Sequence, residues 1–313
     1  MVYALAYHIW HISARTLRWL LHACWCSAMS FKTTTTLTQP DGTMSVVTTE
    51  TVPDPAALPV IDCHQHMWYP GKHWNCPWLS DPACASINRE FSMEDYMQTT
   101  SGNNVVKTVF LETDAAKEDF EKESGFVGTL CADASKPVVG AVVGADLTCV
   151  DFKSYIDRAK LQGFIKGIRD VMHAKPKGFC LQPEVLENIQ YAGGAGLSVD
   201  ICIQPDQLLD CASMCSQCPS VTFIIDHCGG HQGLKGTCPD AGPADAEQKA
   251  AWEAGIAALA KLPNVIIKIS GLYGGWQGGW AGWTFECQTA TVSVESTALA
   301  SSKVIDLACS PCC

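Results

Sequence analysis

One short stretch, Val60-Ile61-Asp62-Cys63-His64-Gln65-His66-Met67-Trp68, constrains the fold of this 313-residue chain more than any other feature. Its apolar start predicts a buried strand, and its two histidines are two residues apart. Side chains at positions i and i+2 of a strand point to the same face, so His64 and His66 would project together. That arrangement suits two imidazoles that bind one metal ion. A pair that only packs or forms hydrogen bonds is the alternative.

Short apolar runs and helical stretches alternate after this point. Strands are predicted at 60–63, 105–111, 138–147, 164–171, 197–203, 221–225 and 264–272, and helices at 93–100, 115–130, 152–161, 183–195, 206–218 and 246–262. Nearly continuous apolar strands joined by helices are typical of a parallel sheet with helices outside. The pattern therefore predicts an α/β fold, a (β/α)8 TIM barrel. The predicted barrel lacks a normal eighth strand and its helix, because only residues 304–307 could supply that strand.

This pattern divides the chain into three segments: an N-terminal extension at 1–58, the barrel at 59–283, and an atypical tail at 284–313. Residues 1–28 contain Arg15 and Arg18 but no acidic residue, which resembles a mitochondrial targeting segment. Residues 30–58 are rich in Thr and Pro, which predicts a flexible, disordered lead-in. We expect a cytoplasmic protein, or a mitochondrial one if residues 1–28 are native coding sequence.

The composition limits the partners. A net charge of −11 offers no basic face to nucleic acid, and no apolar run reaches the roughly 20 residues that span a bilayer. Most of the 18 cysteines lie in apolar runs, which favours free thiols that pack as small hydrophobes. Cys211, Cys215 and Cys218 follow helical spacing, so packing of one helix face is favoured over a structural zinc site. A small-molecule substrate remains the expected partner.

Six blocks in a fixed order resemble the amidohydrolase-related (amidohydrolase 2) metal-dependent hydrolases, and among them the sugar-lactonase-like branch. The likeness runs from about residue 58 to residue 283. The blocks lie at 61–68, 109–112, 165–169 with His173, 197–200, 223–229 and 263–272.

The resemblance implies an active site at the carboxyl ends of the strands. His64, His66 and His227 would be catalytic and, with Glu112, would bind a divalent metal, with zinc as the first candidate. Arg169 and His173 would contact the substrate. Structural roles are the alternative, since Glu112 could pair with a lysine and Arg169 with a carboxylate across the barrel mouth.

The resemblance implies a hydrolase that opens a small sugar-acid lactone with metal-activated water. A non-oxidative decarboxylase of the same superfamily is the alternative, because related barrels use the same histidine pair. The family motif Gly-Ser-Asp-Trp-Pro supplies an aspartate as metal ligand or general base. It has no counterpart here, and the surroundings of Asp306 do not match it. A truncated product without activity is therefore a further expectation.

Overall fold

The computed structural model describes residues 59–230 and 245–270, and the backbone of three further strands at 31–38, 44–51 and 303–306. The strands are β1 Phe31–Thr38, β2 Met44–Thr51, β3 Val60–Gln65, β4 Val105–Leu111, β5 Val138–Gly144, β6 Ile165–Val171, β7 Ser198–Cys202, β8 Phe223–Ile225, β9 Val265–Ile269 and β10 Lys303–Asp306.

Strands β3 to β10 form one parallel sheet in the order β10-β9-β8-β7-β6-β5-β4-β3. Each strand therefore pairs with the strands that come before and after it in the sequence, as in a (β/α) barrel. Among the described residues, the end strands β3 and β10 do not pair with each other. The predicted fold, a TIM barrel that lacks a normal closing unit, is confirmed.

The α-helices are α1 Met93–Thr99, α2 Phe120–Ala132, α3 Phe152–Leu161, α4 Pro183–Gly194, α5 Leu208–Gln217 and α6 Ala246–Leu259. Short helical turns occur at Pro77–Ser80, Pro82–Cys84, Lys117–Asp119, Phe179–Leu181, Pro205–Gln207 and His227–Gly230. Helix α1 begins with a capping box, in which Ser92 and Asp95 satisfy each other's backbone N–H groups. None of the helices in the described part of the chain is long and apolar enough to cross a membrane.

The core lies between the sheet and its helices. Val199, Ile201 and Phe223 of the strands are fully buried, and so is Ile189 of α4. Cys211, Cys215 and Cys218 are also fully buried among these apolar side chains. The cysteine spacing therefore reflects packing of one face of α5 and the turn after it.

The N-terminal lead-in differs from the sequence prediction. Residues 31–38 and 44–51, expected to be disordered, form the antiparallel pair β1–β2, in register from Phe31 opposite Thr51 to Thr38 opposite Met44. The physical reason is the run of β-branched Thr and Val residues, which favour strands even without an alternating pattern. The rest of the predicted extension, at 1–30, 39–43 and 52–58, lies outside the described residues.

The predicted tail contributes one strand. The run expected at 304–307 is found as Lys303–Asp306, parallel to β9 with Lys303 opposite Ile266. The other residues of the 284–313 segment lie outside the described residues.

Helix α6 lies very close to α5 at Gly255, where an added Cβ would be 2.2 Å from the Cβ of Leu208. We expect Gly255→Ala to lower the free energy of unfolding by about 1–3 kcal/mol, because the two helices must move apart. Gly194→Ala is the matched control, since no atom lies within 4 Å of its added Cβ. Urea denaturation compares the two variants. Equal stabilities would contradict the close approach.

Candidate active site

The six predicted site residues all lie at or just beyond the carboxyl ends of parallel strands. Their positions are His64 and His66 at the end of β3, Glu112 after β4, Arg169 in β6, His173 after β6 and His227 after β8. Five of them form one connected group, and His173 lies at its side, with its Nδ1 3.5 Å from the Cys202 Sγ. Side chains far apart in the sequence meet here because parallel strands end at the same edge of a sheet.

The two histidines of β3 face each other, with their Nε2 atoms 3.1 Å apart. The Nδ1 of His66 lies 2.9 Å from the carbonyl oxygen of Leu111. A carbonyl only accepts hydrogen bonds, so this partner assigns the His66 proton to Nδ1 and leaves its Nε2 as an acceptor. In the absence of a metal, the Nε2 of His64 must then be the donor between the two rings.

The other nitrogen of His64 has a choice of partners. Its Nδ1 lies 3.4 Å from the ammonium of Lys268 and 3.5 Å from Oδ1 of Asp226. An ammonium only donates and a carboxylate only accepts, so each tautomer of His64 has a partner. His64 can therefore present either a proton or a lone pair on Nε2 without leaving a buried nitrogen unsatisfied.

Asp62 fixes the backbone of this pair. Its Oδ1 accepts the N–H of His64 at 2.9 Å, and its Oδ2 accepts the hydroxyl of Tyr96 in α1 at 2.8 Å. Both oxygens are thus occupied by structural hydrogen bonds. The carboxylate one step before the histidines holds them in place and does not face the cavity as a ligand.

The histidine pair matches two positions of a metal coordination sphere. Two imidazole nitrogens bound to one tetrahedral zinc lie about 3.3 Å apart, close to the 3.1 Å observed. Within the described residues, no group of three or more His, Cys, Asp or Glu side chains forms a complete metal site. The pair therefore fits a metal, and the described part of the chain does not complete its ligand set.

His227 reaches the same place by an unusual turn. Strand β8 ends at Ile225, and His227 and Cys228 then adopt positive φ angles of 52° and 50°. Neighbouring strand residues point to opposite faces, yet this left-handed turn lets both Asp226 and His227 face His64. The ring centroids of His64 and His227 are 4.6 Å apart, and the Nδ1 of His227 lies 3.0 Å from the Ser270 hydroxyl.

The three histidines are neutral at physiological pH. Desolvation by burial, reinforced by the charge of Arg169, lowers the pKa of His66 to about 3. Burial is also the main cause that lowers the pKa of His227 to about 4. Burial and the nearby Lys268 charge hold the pKa of His64 well below its usual value. Each ring therefore has one nitrogen lone pair that can accept a proton or bind a metal.

A buried charge network surrounds the histidines. Arg169 donates from Nε to Glu112, from Nη2 to the Glu112 carbonyl at 2.9 Å, and from Nη1 to Oδ2 of Asp226 at 3.1 Å. The Lys268 ammonium lies 2.7 Å from Oδ2 of Asp200 and 3.0 Å from Oδ1 of Asp226. Burial opposes charge on Asp226, but Lys268 and its other partners hold the pKa of this carboxyl well below its usual value.

Glu112 and Arg169 are thus engaged within the protein. The second oxygen of Glu112 accepts the backbone N–H of Asp114 at 2.6 Å, and Glu112 and Arg169 are 1% and 6% exposed. A metal at Glu112 would have to share its carboxylate with Arg169. Their roles as metal ligand and substrate contact stay predictions, and the observed ion pair corresponds to the structural alternative.

Sequence reasoning did not assign Asp200, Asp226 and Lys268 to the site. Each is a charged residue in or directly after an otherwise apolar strand, as Lys268 is in Val-Ile-Ile-Lys-Ile. A charge in a fully buried strand must be paired, so this pattern was the available signal. The identity of the partners depended on strands that are distant in the sequence.

Glu123 of α2 supports the end of β4 from outside. Its Oε1 accepts the backbone N–H of Thr113 at 3.0 Å and the Thr113 hydroxyl at 2.6 Å. Its other oxygen, Oε2, is buried without a hydrogen-bond partner among the described residues. Burial, together with the charge of Glu112, raises the pKa of Glu123 to about 8. The carboxyl is therefore protonated in the folded chain at neutral pH.

This raised pKa predicts a pH-dependent stability. The usual pKa of a glutamate is 4.5, and that of folded Glu123 is about 8. Between these two pH values, folded Glu123 keeps a proton that the unfolded chain has lost. Stability should therefore fall as pH rises through this window, by up to about 1.4 kcal/mol per pH unit. We expect Glu123→Gln to make this decline shallower, as measured by urea denaturation at several pH values. The same decline in both proteins would contradict the assignment.

The tautomers can be tested directly. In protein treated with a chelator, we expect His64 to carry its proton on Nε2 and His66 on Nδ1. Long-range ¹H–¹⁵N NMR distinguishes the two tautomers of each ring, and His66 serves as the internal reference. A proton on Nδ1 of His64 in the metal-free protein would contradict the hydrogen bond between the rings.

Comparison with known proteins agrees with this fold. The family model Amidohydro_2, described as amidohydrolase, matches residues 61–298. The chain is 27% identical over 246 residues to the uncharacterized protein y4mH of Sinorhizobium fredii, and this alignment covers 73% of this chain and 77% of that protein. It is 25% identical over 218 residues to an L-fucono-1,5-lactonase of Burkholderia ambifaria, and this alignment covers 68% of each chain.

A solved structure shares the architecture. An amidohydrolase from Burkholderia multivorans with bound zinc aligns with a TM-score of 0.55 at 19% identity, covering 67% of this chain and 68% of that one. Identity at this level shows a common fold. The family model, however, spans well over half of the sequence. The chain therefore belongs to the amidohydrolase family Amidohydro_2.

Proposed function

We propose that this protein is a metal-dependent hydrolase that opens a small sugar-acid lactone. The observation that carries the proposal is the convergence of three neutral histidines, His64, His66 and His227, at the carboxyl ends of the barrel strands. His64 is buried, whereas His66 and His227 are partly exposed, so a substrate can reach them. The likeness to L-fucono-1,5-lactonase supports the choice of a lactone.

His64 and His66 would hold the metal through their Nε2 atoms. Zinc is the first candidate, because imidazole suits this ion and the similar Burkholderia multivorans structure contains it. A bound divalent ion lowers the pKa of water toward neutrality and polarises a carbonyl group. Asp226 would accept the Nδ1 proton of His64 in that state, which would leave the Nε2 lone pair of His64 available to the metal.

His227 is the proposed proton carrier. The reaction adds water to the lactone carbonyl carbon, breaks the bond between that carbon and the ring oxygen, and moves one proton from water to that oxygen. His227 is neutral and can accept this proton, while the Ser270 hydroxyl 3.0 Å from its Nδ1 fixes the ring. The proton then passes to the ring oxygen as the ring opens to the hydroxy acid.

We further propose that the chain as given is a slow hydrolase. The family motif that supplies an additional aspartate is missing from the sequence. Asp226 does not replace it, because Arg169, Lys268 and His64 already surround its oxygens. General acid–base assistance typically contributes about 10²–10⁴-fold to a rate, so a loss of this size is expected.

The test is lactone hydrolysis with added zinc, followed by release of acid with a pH indicator. We expect slow opening of sugar-acid lactones that falls to background in His64→Ala, because that variant removes one of the two facing nitrogens. The control is His73→Ala, which removes an exposed histidine packed on Phe126. It should leave the rate unchanged.

Three results would contradict the proposal. Hydrolysis that survives His64→Ala would place the site elsewhere. If the protein opens none of the lactones in a panel of sugar configurations, the proposed function is wrong. Release of carbon dioxide from an aromatic or unsaturated acid, without lactone opening, would favour the decarboxylase.

A further inference from the structure

We propose that Thr113 is a positioning residue of this active site, which acts through Arg169 and touches neither the metal nor the substrate. Together with Glu123, it fixes the backbone peptide unit that holds the guanidinium of Arg169. The proposal rests on the proposed function, because its predicted consequence is tighter binding of zinc by the histidine pair. It concerns residues that lie outside the set of predicted ligands and substrate contacts.

The peptide unit between Glu112 and Thr113 is held from both sides. Its N–H donates to Oε1 of Glu123 at 3.0 Å, and its carbonyl oxygen accepts Nη2 of Arg169 at 2.9 Å. A trans peptide unit is planar, and its N–H and C=O groups point in opposite directions. The position of Glu123 therefore decides where the carbonyl acceptor of Arg169 points.

The hydroxyl group of Thr113 secures this arrangement. It donates to the same oxygen of Glu123 at 2.6 Å, so the backbone and the side chain of one residue bind one atom. The hydroxyl oxygen accepts the indole N–H of Trp74 at 3.0 Å and the thiol of Cys76 at 3.4 Å. A hydroxyl group offers one donor and two acceptor sites. All three sites of Thr113 are therefore used.

The preceding peptide unit, between Leu111 and Glu112, has a different support. Its N–H donates to the carbonyl oxygen of Val142 in β5 at 2.9 Å, and its carbonyl oxygen lies 2.9 Å from Nδ1 of His66. The sheet itself therefore fixes the acceptor of His66. The contacts of Thr113 act one peptide unit further on, where strand β4 has ended.

Arg169 carries the effect to the metal site. Its Nη1 donates to Oδ2 of Asp226 at 3.1 Å, and Oδ1 of Asp226 lies 3.5 Å from Nδ1 of His64. Partners that orient a metal-binding imidazole typically contribute about 10–100-fold to metal affinity. A guanidinium that loses its backbone acceptor would hold Asp226 less firmly. Zinc binding would then weaken although both histidines of the pair remain.

Burial makes these hydrogen bonds difficult to replace. Thr113 is 4% exposed and Glu123 is fully buried. A buried polar group that loses its protein partner pays the cost of desolvation without compensation from water. Removal of the Thr113 hydroxyl would therefore leave the indole N–H of Trp74 without this acceptor and would loosen the contact with Glu123.

The test is the zinc affinity of the full chain, measured by competition with a chromophoric chelator. Thr113→Val removes the hydroxyl at nearly constant volume, and we expect zinc to bind about tenfold more weakly. Thr113→Ser keeps the hydroxyl and should bind zinc as tightly as the unaltered chain. Equal affinities of Thr113→Val and the unaltered chain would overturn the proposal.

Two controls separate positioning from a general loss of packing. Thr108 lies in the same strand and is fully buried, and its hydroxyl has no hydrogen-bond partner among the described residues. Thr108→Val should therefore leave the zinc affinity unchanged. Trp74→Phe removes the indole donor but leaves the contacts of Thr113 with Glu123, so it should also bind zinc normally. A loss in either control as large as in Thr113→Val would overturn the proposal.

A second measurement does not require the metal. In chelator-treated protein, ¹H–¹⁵N NMR follows solvent exchange of the guanidinium N–H groups of Arg169. We expect exchange to be about tenfold faster in Thr113→Val than in Thr108→Val, because the carbonyl of Glu112 no longer holds Nη2. Equal exchange rates would overturn the proposal.

The two measurements also distinguish this proposal from the proposed function. If the unaltered chain binds no zinc, the metal-dependent function is wrong, and the exchange rates of Arg169 alone decide the role of Thr113. Should Thr113→Val not fold, Thr113→Ala takes its place in both measurements, because it puts no methyl group beside the indole of Trp74.

Discussion

The carboxylate of Asp226 is the group on which the site depends. It contacts Arg169 of β6, Lys268 of β9 and His64 of β3. A single buried side chain that follows β8 therefore connects the end of β8 with the ends of three other strands. Removal of one member of such a buried set leaves an unpaired charge and typically costs about 3–5 kcal/mol. The geometry of the histidines and the stability of this end of the barrel therefore have the same origin.

The network also fixes the chemical state of the histidines. Buried cations next to an imidazole disfavour its protonation, and Asp226 provides the acceptor that one tautomer of His64 requires. The opposing charges of Lys268 and Asp226 lie at nearly equal distances from the same nitrogen, 3.4 Å and 3.5 Å. Their combined effect keeps the ring neutral while allowing its proton to occupy either nitrogen.

The sequence predicted the strands well because a run of apolar residues leaves a local signal. The second predicted strand, 105–111, coincides with β4, and the histidine pair converges as the i, i+2 rule requires. The partners of Arg169 could not be predicted this way, because Glu112 and Asp226 each lie 57 residues from it. Local periodicity places a side chain on a face of its strand, but the strand order decides what it meets. The β1–β2 pair was missed for a different reason, since a run of threonines lacks the alternation on which strand prediction relies.

The left-handed turn after β8 limits which amino acids position 227 can accept. Positive φ is unfavourable for most side chains, and Gly, Asn, Asp and His tolerate it best. The glycines that follow allow little variation either, since a Cβ on Gly230 would lie 2.5 Å from the carbonyl oxygen of Ile203. Three of the four tolerated residues carry groups that bind metals or hydrogen-bond to substrates. Evolutionary divergence at this position is thus restricted by backbone conformation before any selection for chemistry acts.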